Sequence, residues 1–285
     1  MKPVVYVHAP SRRHLGARLT AFALQARSAS ASQFEVRYLA LDECPELLAY
    51  EGRSFRWMNT GRDIRWSRRA GQAFILLRRR VPELMGFEGR ALLMDPDILA
   101  VGDVWELLSR DLQGCALACR PRIDGRAGWS SAVMLMDCAR LRHWRWAAEL
   151  QELFEGRREL GSWQGLTDEP AHRVQPLEPW WNELDTLTPQ TRLLHFTNRR
   201  QHPWMTGLPF GDDFDTEVAS RGWLGRLLWR GPRYQPSPHE AVFVSVLQHA
   251  VQAGALTRAE LNAMARAGEV RSDILPLLDQ PVKAH

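Results

Sequence analysis

The chain has 285 residues, 45% of them hydrophobic, and a formal net charge of +4. That length and composition support one large core or two modest ones and exclude extensive disorder, and no apolar run approaches the roughly 20 residues of a membrane-spanning helix. All but two of the 37 basic residues are arginine, with lysine only at positions 2 and 283. A compositional bias accounts for most of this, although the planar arginine fork also suits phosphate. The basic residues are interspersed with acids and carry no nucleic-acid-binding signature, so no nucleic-acid partner is expected. The opening "MKPVVYVHAP" lacks the apolar length of a secretion signal, which gives a cytoplasmic protein as the expectation. Cys44, Cys115, Cys119 and Cys138 show no metal-ligand spacing and read as buried free thiols.

In chain order, "PVVYVHA" (3–9) is a β-branched run that predicts a strand, and 12–30 has helical spacing through Leu15, Leu19, Phe22 and Leu24. A second strand is expected over 34–41, a helix interrupted near Pro82 over 71–85, and a third strand over 90–94. Strands at 115–119 and 131–137 and a helix from about 141 to 154 follow. The alternation predicts an α/β protein with a mainly parallel sheet. The last part changes character: 223–229, 239–254 and 257–270 read as helices, the last opened by a Thr257/Glu260 capping box. The expected organisation is an α/β domain over 1–210 with a helical appendage over 211–285 packed on it.

Within "ALLMDPDILAVGDVWELL" (91–108), a buried strand delivers Asp95 and Asp97 to its carboxyl end, where ligands collect in open α/β sheets. Two carboxylates flanking one residue can hold a divalent cation from one side and leave coordination positions for phosphate oxygens. The bland alternative is a polar turn after a strand, since Asp-x-Asp is common. A haloacid-dehalogenase-type phosphatase also places Asp-x-Asp after a strand. It requires threonine or valine where Leu99 stands and a downstream lysine that this chain lacks before position 283.

The stretches "VPELMGFEGRALLMDPDILAVGDVWELL" (81–108), "WSSAVMLMD" (129–137), "DE" (168–169), "WWN" (180–182) and "HFTNRRQHPW" (195–204) occur in that order. Over about residues 3–205 the chain thereby resembles the family-8 glycosyltransferases, which include glycogenin and bacterial lipopolysaccharide galactosyltransferases. The resemblance implies a GT-A fold, a nucleotide-sugar donor (a UDP-sugar first), Mn2+ or Mg2+ as cofactor, and transfer to a hydroxyl acceptor with retention. The acceptor would be a glycan, a lipid-linked glycan or a protein. A degenerate GT-A fold that binds nucleotide or a partner without chemistry is the alternative.

By the same resemblance, Asp95, Asp97 and His195 are the metal ligands, with Pro96 between the carboxylates. Neutral imidazole is a good ligand for such an ion, and "RLLHF" reads as a strand delivering His195 to a site edge. Arg78 matches a basic residue facing the donor, and Val7, His8 and Ala9 match the turn that cradles the nucleoside, without its usual aspartate or asparagine. Ser130 and Ser131 match the small residues of the sugar pocket. Asp168 and Glu169 match a pair near the anomeric carbon, where a carboxylate holds sugar hydroxyls or steadies an oxocarbenium-like transition state; a helix N-terminal acid pair before Pro170 is the bland alternative. His202 stands where the family carries a lysine against the leaving diphosphate, so Arg199 or Arg200 is expected to supply that charge. The segment 221–233 mixes tryptophan, leucine and arginine; packing onto the catalytic domain is the favoured expectation, and peripheral contact with a membrane face is the alternative.

Overall fold

A computed structural model describes residues 1–57, 62–70, 73–210, 224, 228 and 230–281. Among the described residues there are eleven strands: β1 Val4–Ala9, β2 Glu35–Ala40, β3 Ser54–Trp57, β4 Arg62–Arg65, β5 Arg90–Met94, β6 Ile98–Ala100, β7 Leu117–Pro121, β8 Trp129–Asp137, β9 Val174–Pro176, β10 Glu183–Leu184 and β11 Leu193–His195. Six of them make the main sheet in the order β2-β1-β5-β8-β7-β9. Its β2/β1, β1/β5 and β7/β9 pairings are parallel, while β8 runs antiparallel to both neighbours. A small sheet, β10-β11-β6, stands beside it, and β3/β4 form a hairpin.

The strand alternation feeds two cores. Val5 and Val7 of β1 join Leu92 and Met94 of β5 on one face, under the helix Leu15–Ala26, whereas Val4 and Tyr6 join Leu93, Met134 and Met136 on the other. The C-terminal helix Glu240–Gln252 contributes Val242, Phe243, Val246 and Leu247 to the first core, together with Phe196 and Trp204. Helix Arg258–Ala267 starts with the Thr257/Glu260 capping box and stops at Gly268, whose φ of 67° supplies the left-handed turn. The boundary at 210/211, the helix over 223–229 and most of 221–233 lie outside the described residues. Among the described residues no helix is long and apolar enough to cross a membrane.

The run after residue 72 departs from the expected helix. It is a 3-10 helix over Ala73–Arg80, followed by a short α-helix, Val81–Leu84, with Pro82 in its first turn. Proline has no N–H to donate back, so no α-helical ladder passes through it, and it is tolerated only where a helix begins. A 3-10 turn advances about 120° per residue, so Arg78, Arg79 and Arg80 leave in three directions. The expected helix from 141 likewise begins later, at Trp146, after a 3-10 turn over Cys138–Leu141 that Asp137 caps. Cys44, Cys119 and Cys138 are buried free thiols, but Cys115 is half-buried.

The chain leaves the main sheet at Met94 and enters the small sheet at Ile98, so Asp95, Pro96 and Asp97 form the crossover. The Asp95 N–H donates to the Ala132 carbonyl (3.0 Å), and the Asp97 carbonyl accepts from the Phe196 N–H (3.0 Å). Between them the Pro96 carbonyl accepts from Thr20 Oγ1 at 3.2 Å. Helix Leu15–Ala26 comes so close that a Cβ on Gly16 would stand 2.5 Å from that carbonyl oxygen. Gly16→Ala is therefore expected to destabilise the protein by about 1–3 kcal/mol in urea unfolding, because neither backbone can yield without displacing the other.

The same helix is capped by His14, whose Nδ1 accepts from the Ala17 N–H at 3.3 Å. Burial lowers its pKa to about 4, with nearby His202 acting in the same direction. The unfolded chain thus takes up this proton near pH 6.5 and the folded one only near pH 4. Stability from this group is present above pH 6.5 and lost as the pH falls toward 4. Unfolding free energies measured across pH 4–7 should decline less steeply in His14→Asn, which keeps a capping acceptor but does not titrate.

Candidate active site

The crossover brings Asp95 and Asp97 to the end of β11, where His195 lies antiparallel to Ile98. Ligand atoms of Asp95, Asp97 and His195 all lie within 4.8 Å of one another. His195 Nε2 is 3.4 Å from Asp97 Oδ1. Its other nitrogen, Nδ1, is 2.7 Å from Asn182 Oδ1, an acceptor, so Nδ1 carries a proton and Nε2 is the nitrogen turned toward the carboxylates, free to ligate once its own proton is displaced. Asn182 is fixed in turn by Nδ2 donating to Ser130 Oγ at 3.0 Å. Asp95 Oδ1 and Asp97 Oδ1 are buried without a hydrogen bond. Two orphaned carboxylate oxygens and an imidazole nitrogen converging on one point fit a divalent cation.

The surrounding charges favour the ionised forms of Asp97 and His195. Burial by itself pushes Asp97 upward, but attraction to the nearby His195, with His202 adding to it, holds its carboxyl well below the usual range. Burial pushes His195 down, yet the Asp97 charge outweighs it and raises the imidazole. Arg78 donates from Nη2 to Asp95 Oδ2 and from Nη1 to Ser131 Oγ at 2.6 Å, tying β5 to β8 across the site. His8 is fully buried, with Nδ1 3.5 Å from Asp95 Oδ1 and its ring edge-on to Phe74. His202 Nε2 is 3.0 Å from the Phe196 carbonyl and 3.5 Å from Asp97 Oδ2, and its ring stacks on Trp204.

Above the cluster opens a cavity of about 320 Å3, lined by Arg78, Asp95, Asp97, Ser130, Ser131, His195, Arg199 and His202 among the residues the sequence points to. Others differ from expectation. Val7 and Ala9 are fully buried with their side chains in the core, and His8 reaches Asp95 rather than the cavity wall. Pro96 contributes its carbonyl to the clamp from Thr20. Arg200 lies outside the lining, with its guanidinium 5.3 Å above the Phe210 ring.

Asp168 and Glu169 do not line the cavity. Asp168 pairs with Arg79 and with Arg158 (2.8 Å), and Glu169 is buried against the Trp144 indole and His143 (2.6 Å). The carboxylates are drawn away because two arginines and two ring N–H donors wait for them on the far side of the segment. The polar side chain that enters from this direction is Gln164, on the short helix Leu160–Gly165. That helix can approach because Gly128, at φ 98°, has no Cβ; one would stand 2.2 Å from the Gly165 carbonyl oxygen.

The sequence carries no periodic or spacing signal for Gln164, nor for Arg120, Arg122 and Asp124, which also line the cavity, whereas Thr197, in the lining too, belongs to the "HFTNRRQHPW" stretch. Asn182, by contrast, ends the "WWN" stretch and was legible as a motif residue without its role.

No protein-family model matches the sequence, and no curated protein matches it. Among solved structures, the apo form of glycosyltransferase GlyE of Streptococcus pneumoniae TIGR4 superposes with a TM-score of 0.50 at 18% identity, covering 89% of this chain and 64% of that one. The galactosyltransferase LgtC, in complex with donor and acceptor sugar analogs, gives 0.47 at 14% identity (76% of this chain, 95% of that one). The bifunctional glycosyltransferase WbbM gives 0.48 at 13% identity (78% and 50%). The chain spans about two thirds of the length of GlyE and half that of WbbM. At these identities the likeness concerns the fold: the chain has the α/β GT-A fold of glycosyltransferases.

Proposed function

We propose that this protein is a metal-dependent glycosyltransferase that moves a sugar from a UDP-sugar to a hydroxyl acceptor, with retention. The observation that carries the reading is the convergence of Asp95, Asp97 and His195 at the floor of a polar cavity, with an unbonded oxygen on each carboxylate. A divalent cation held there would neutralise a diphosphate and make it a better leaving group.

This chain's own residues supply the rest. Arg78, fixed to Ser131, keeps Asp95 turned inward, and Asn182 keeps His195 in its ligating tautomer. Arg199 lines the same cavity and takes the place of the expected lysine against the diphosphate, since a guanidinium donates two parallel hydrogen bonds to phosphate oxygens. His202 orients Asp97 instead. The sugar lies along Ser130, Ser131 and Gln164. The acceptor oxygen bonds to the anomeric carbon as its bond to the diphosphate breaks, on the face that the leaving group quits, and the acceptor proton passes to a diphosphate oxygen. A cytoplasmic enzyme using the cytosolic nucleotide-sugar pool is the cellular form of this reading.

A binding protein without transfer is the second reading. The retirement of Asp168 and Glu169 into ion pairs away from the cavity favours it.

One panel separates the two: thermal shift and donor hydrolysis with UDP- and GDP-sugars, with and without Mn2+, on wild type and Asp95→Ala. A donor at about 100 times its Kd adds roughly 2.7 kcal/mol of stability. Metal-dependent stabilisation with sugar release, both lost in the variant, is the expected result, and NMR of the transferred anomer checks retention. Stabilisation without release selects the binding protein, and no response to any nucleotide removes both readings. Asn182→Leu should weaken Mn2+ affinity about 10–100-fold by calorimetry while the protein stays folded, because the lock on the His195 tautomer is lost.

A further inference from the structure

Arg79 follows the cavity residue Arg78 directly but points the other way, into the second core. It is 2% exposed. Its Nη1 donates to Glu149 Oε2 at 3.2 Å, its Nη2 donates to Asp168 Oδ1, and its guanidinium lies 4.8 Å above the Trp144 ring. Glu149 Oε2 also accepts from Trp163 Nε1 at 2.6 Å. One guanidinium therefore grips the segment carrying Gln164 on both sides: through Glu149 it reaches Trp163, the residue before Gln164, and through Asp168 it holds the chain just after the helix ends.

This helix needs such a hold. It has six residues, Leu160–Gly165, and ends in a left-handed Leu166 at φ 53°. A helix this short is not stable by its own hydrogen bonds. Leu160, Trp163 and Leu166 give it an apolar footing, but apolar contact is non-directional and does not fix the rotation that points Gln164 into the cavity. The bonds to Arg79 are directional. Because Arg78 holds Asp95 from the adjacent position, the carboxylate pair and the Gln164 helix are referenced to one two-residue segment of the 3-10 turn.

We propose that Arg79 is a positioning residue, which sets Gln164 against the Asp95/Asp97 pair, and that Asp168 serves the reaction only as its anchor. The inference rests on the transferase reading of the cavity. It is tested with Arg79→Lys, which keeps the charge but cannot bridge two carboxylates with a planar fork, and with Asp168→Asn, which is nearly isosteric and loses one anchor.

Hydrogen–deuterium exchange should rise at least tenfold for amides within 160–166 in both variants and stay unchanged over 90–97. Donor hydrolysis should lose at least tenfold in kcat, with the KM for the UDP-sugar and the Kd for Mn2+ within threefold of wild type. Unchanged exchange in 160–166 overturns the proposal. So does loosened exchange with an intact kcat, or a kcat loss that only tracks losses of Kd and thermal stability, the mark of a general structural role. A wild type that neither binds nor turns over any UDP-sugar with Mn2+ defeats the transferase reading instead, and the exchange comparison then decides the anchoring on its own.

Discussion

The arrangement depends on the carbonyl of Pro96. Three residues must carry the chain out of one sheet and into another, and a segment with so little ladder pairing would turn freely if only its ends were held. Thr20 and the bare Cα of Gly16 clamp its middle, so the first helix of the chain sets the angle at which Asp95 and Asp97 face each other. Proline between the two aspartates removes a donor that would have no partner there and fixes φ, which reduces what the clamp must restrain. The site is thus built from residues some 80 positions apart before any ligand arrives.

Around that point the protein buries charge on a scale that is costly unless every charge is paired. Arg78, Arg79, Glu149, Glu169 and His195 are all nearly inaccessible. Each finds an ionic or hydrogen-bonding partner, as buried charge requires. The pairs divide by role: Arg78 and His195 face the cavity, while Arg79, Glu149 and Glu169 bind the wall behind it. The 3-10 geometry of Ala73–Arg80 suits the division, since it sets neighbouring side chains about 120° apart. Pro82 adds to this only at its end, where it has no N–H to donate back to the Arg78 carbonyl.

Much of this was legible in the sequence because it is local. Strand β5 falls over 90–94 as its apolar run predicts, and the capping box at Thr257 forms as written. Asp95, Asp97 and His195 converge because each sits at the end of a strand whose pattern could be read. Arg78 was singled out from Arg79 by the resemblance alone, since identical neighbours differ otherwise only in what the fold puts opposite them. Asp168 and Glu169 looked like site residues for the same reason: nothing near them in the chain reveals that Arg79, Arg158, Trp144 and His143 compete for their carboxylates.

By itself, the sequence determined the α/β order, the carboxylate pair at a strand end, and the histidine that completes the cluster. The first two follow from periodicity and spacing, which act over a few residues, and the third from the family resemblance carried by "HFTNRRQHPW". The tertiary structure alone decided that Gln164 faces the cavity from the side of Leu160–Gly165, that Arg199 and not Arg200 lines it, and that Asp168 and Glu169 pair away from it. Those choices turn on contacts between elements far apart in the chain, where a missing Cβ at Gly16 or Gly128 decides how closely two backbones meet.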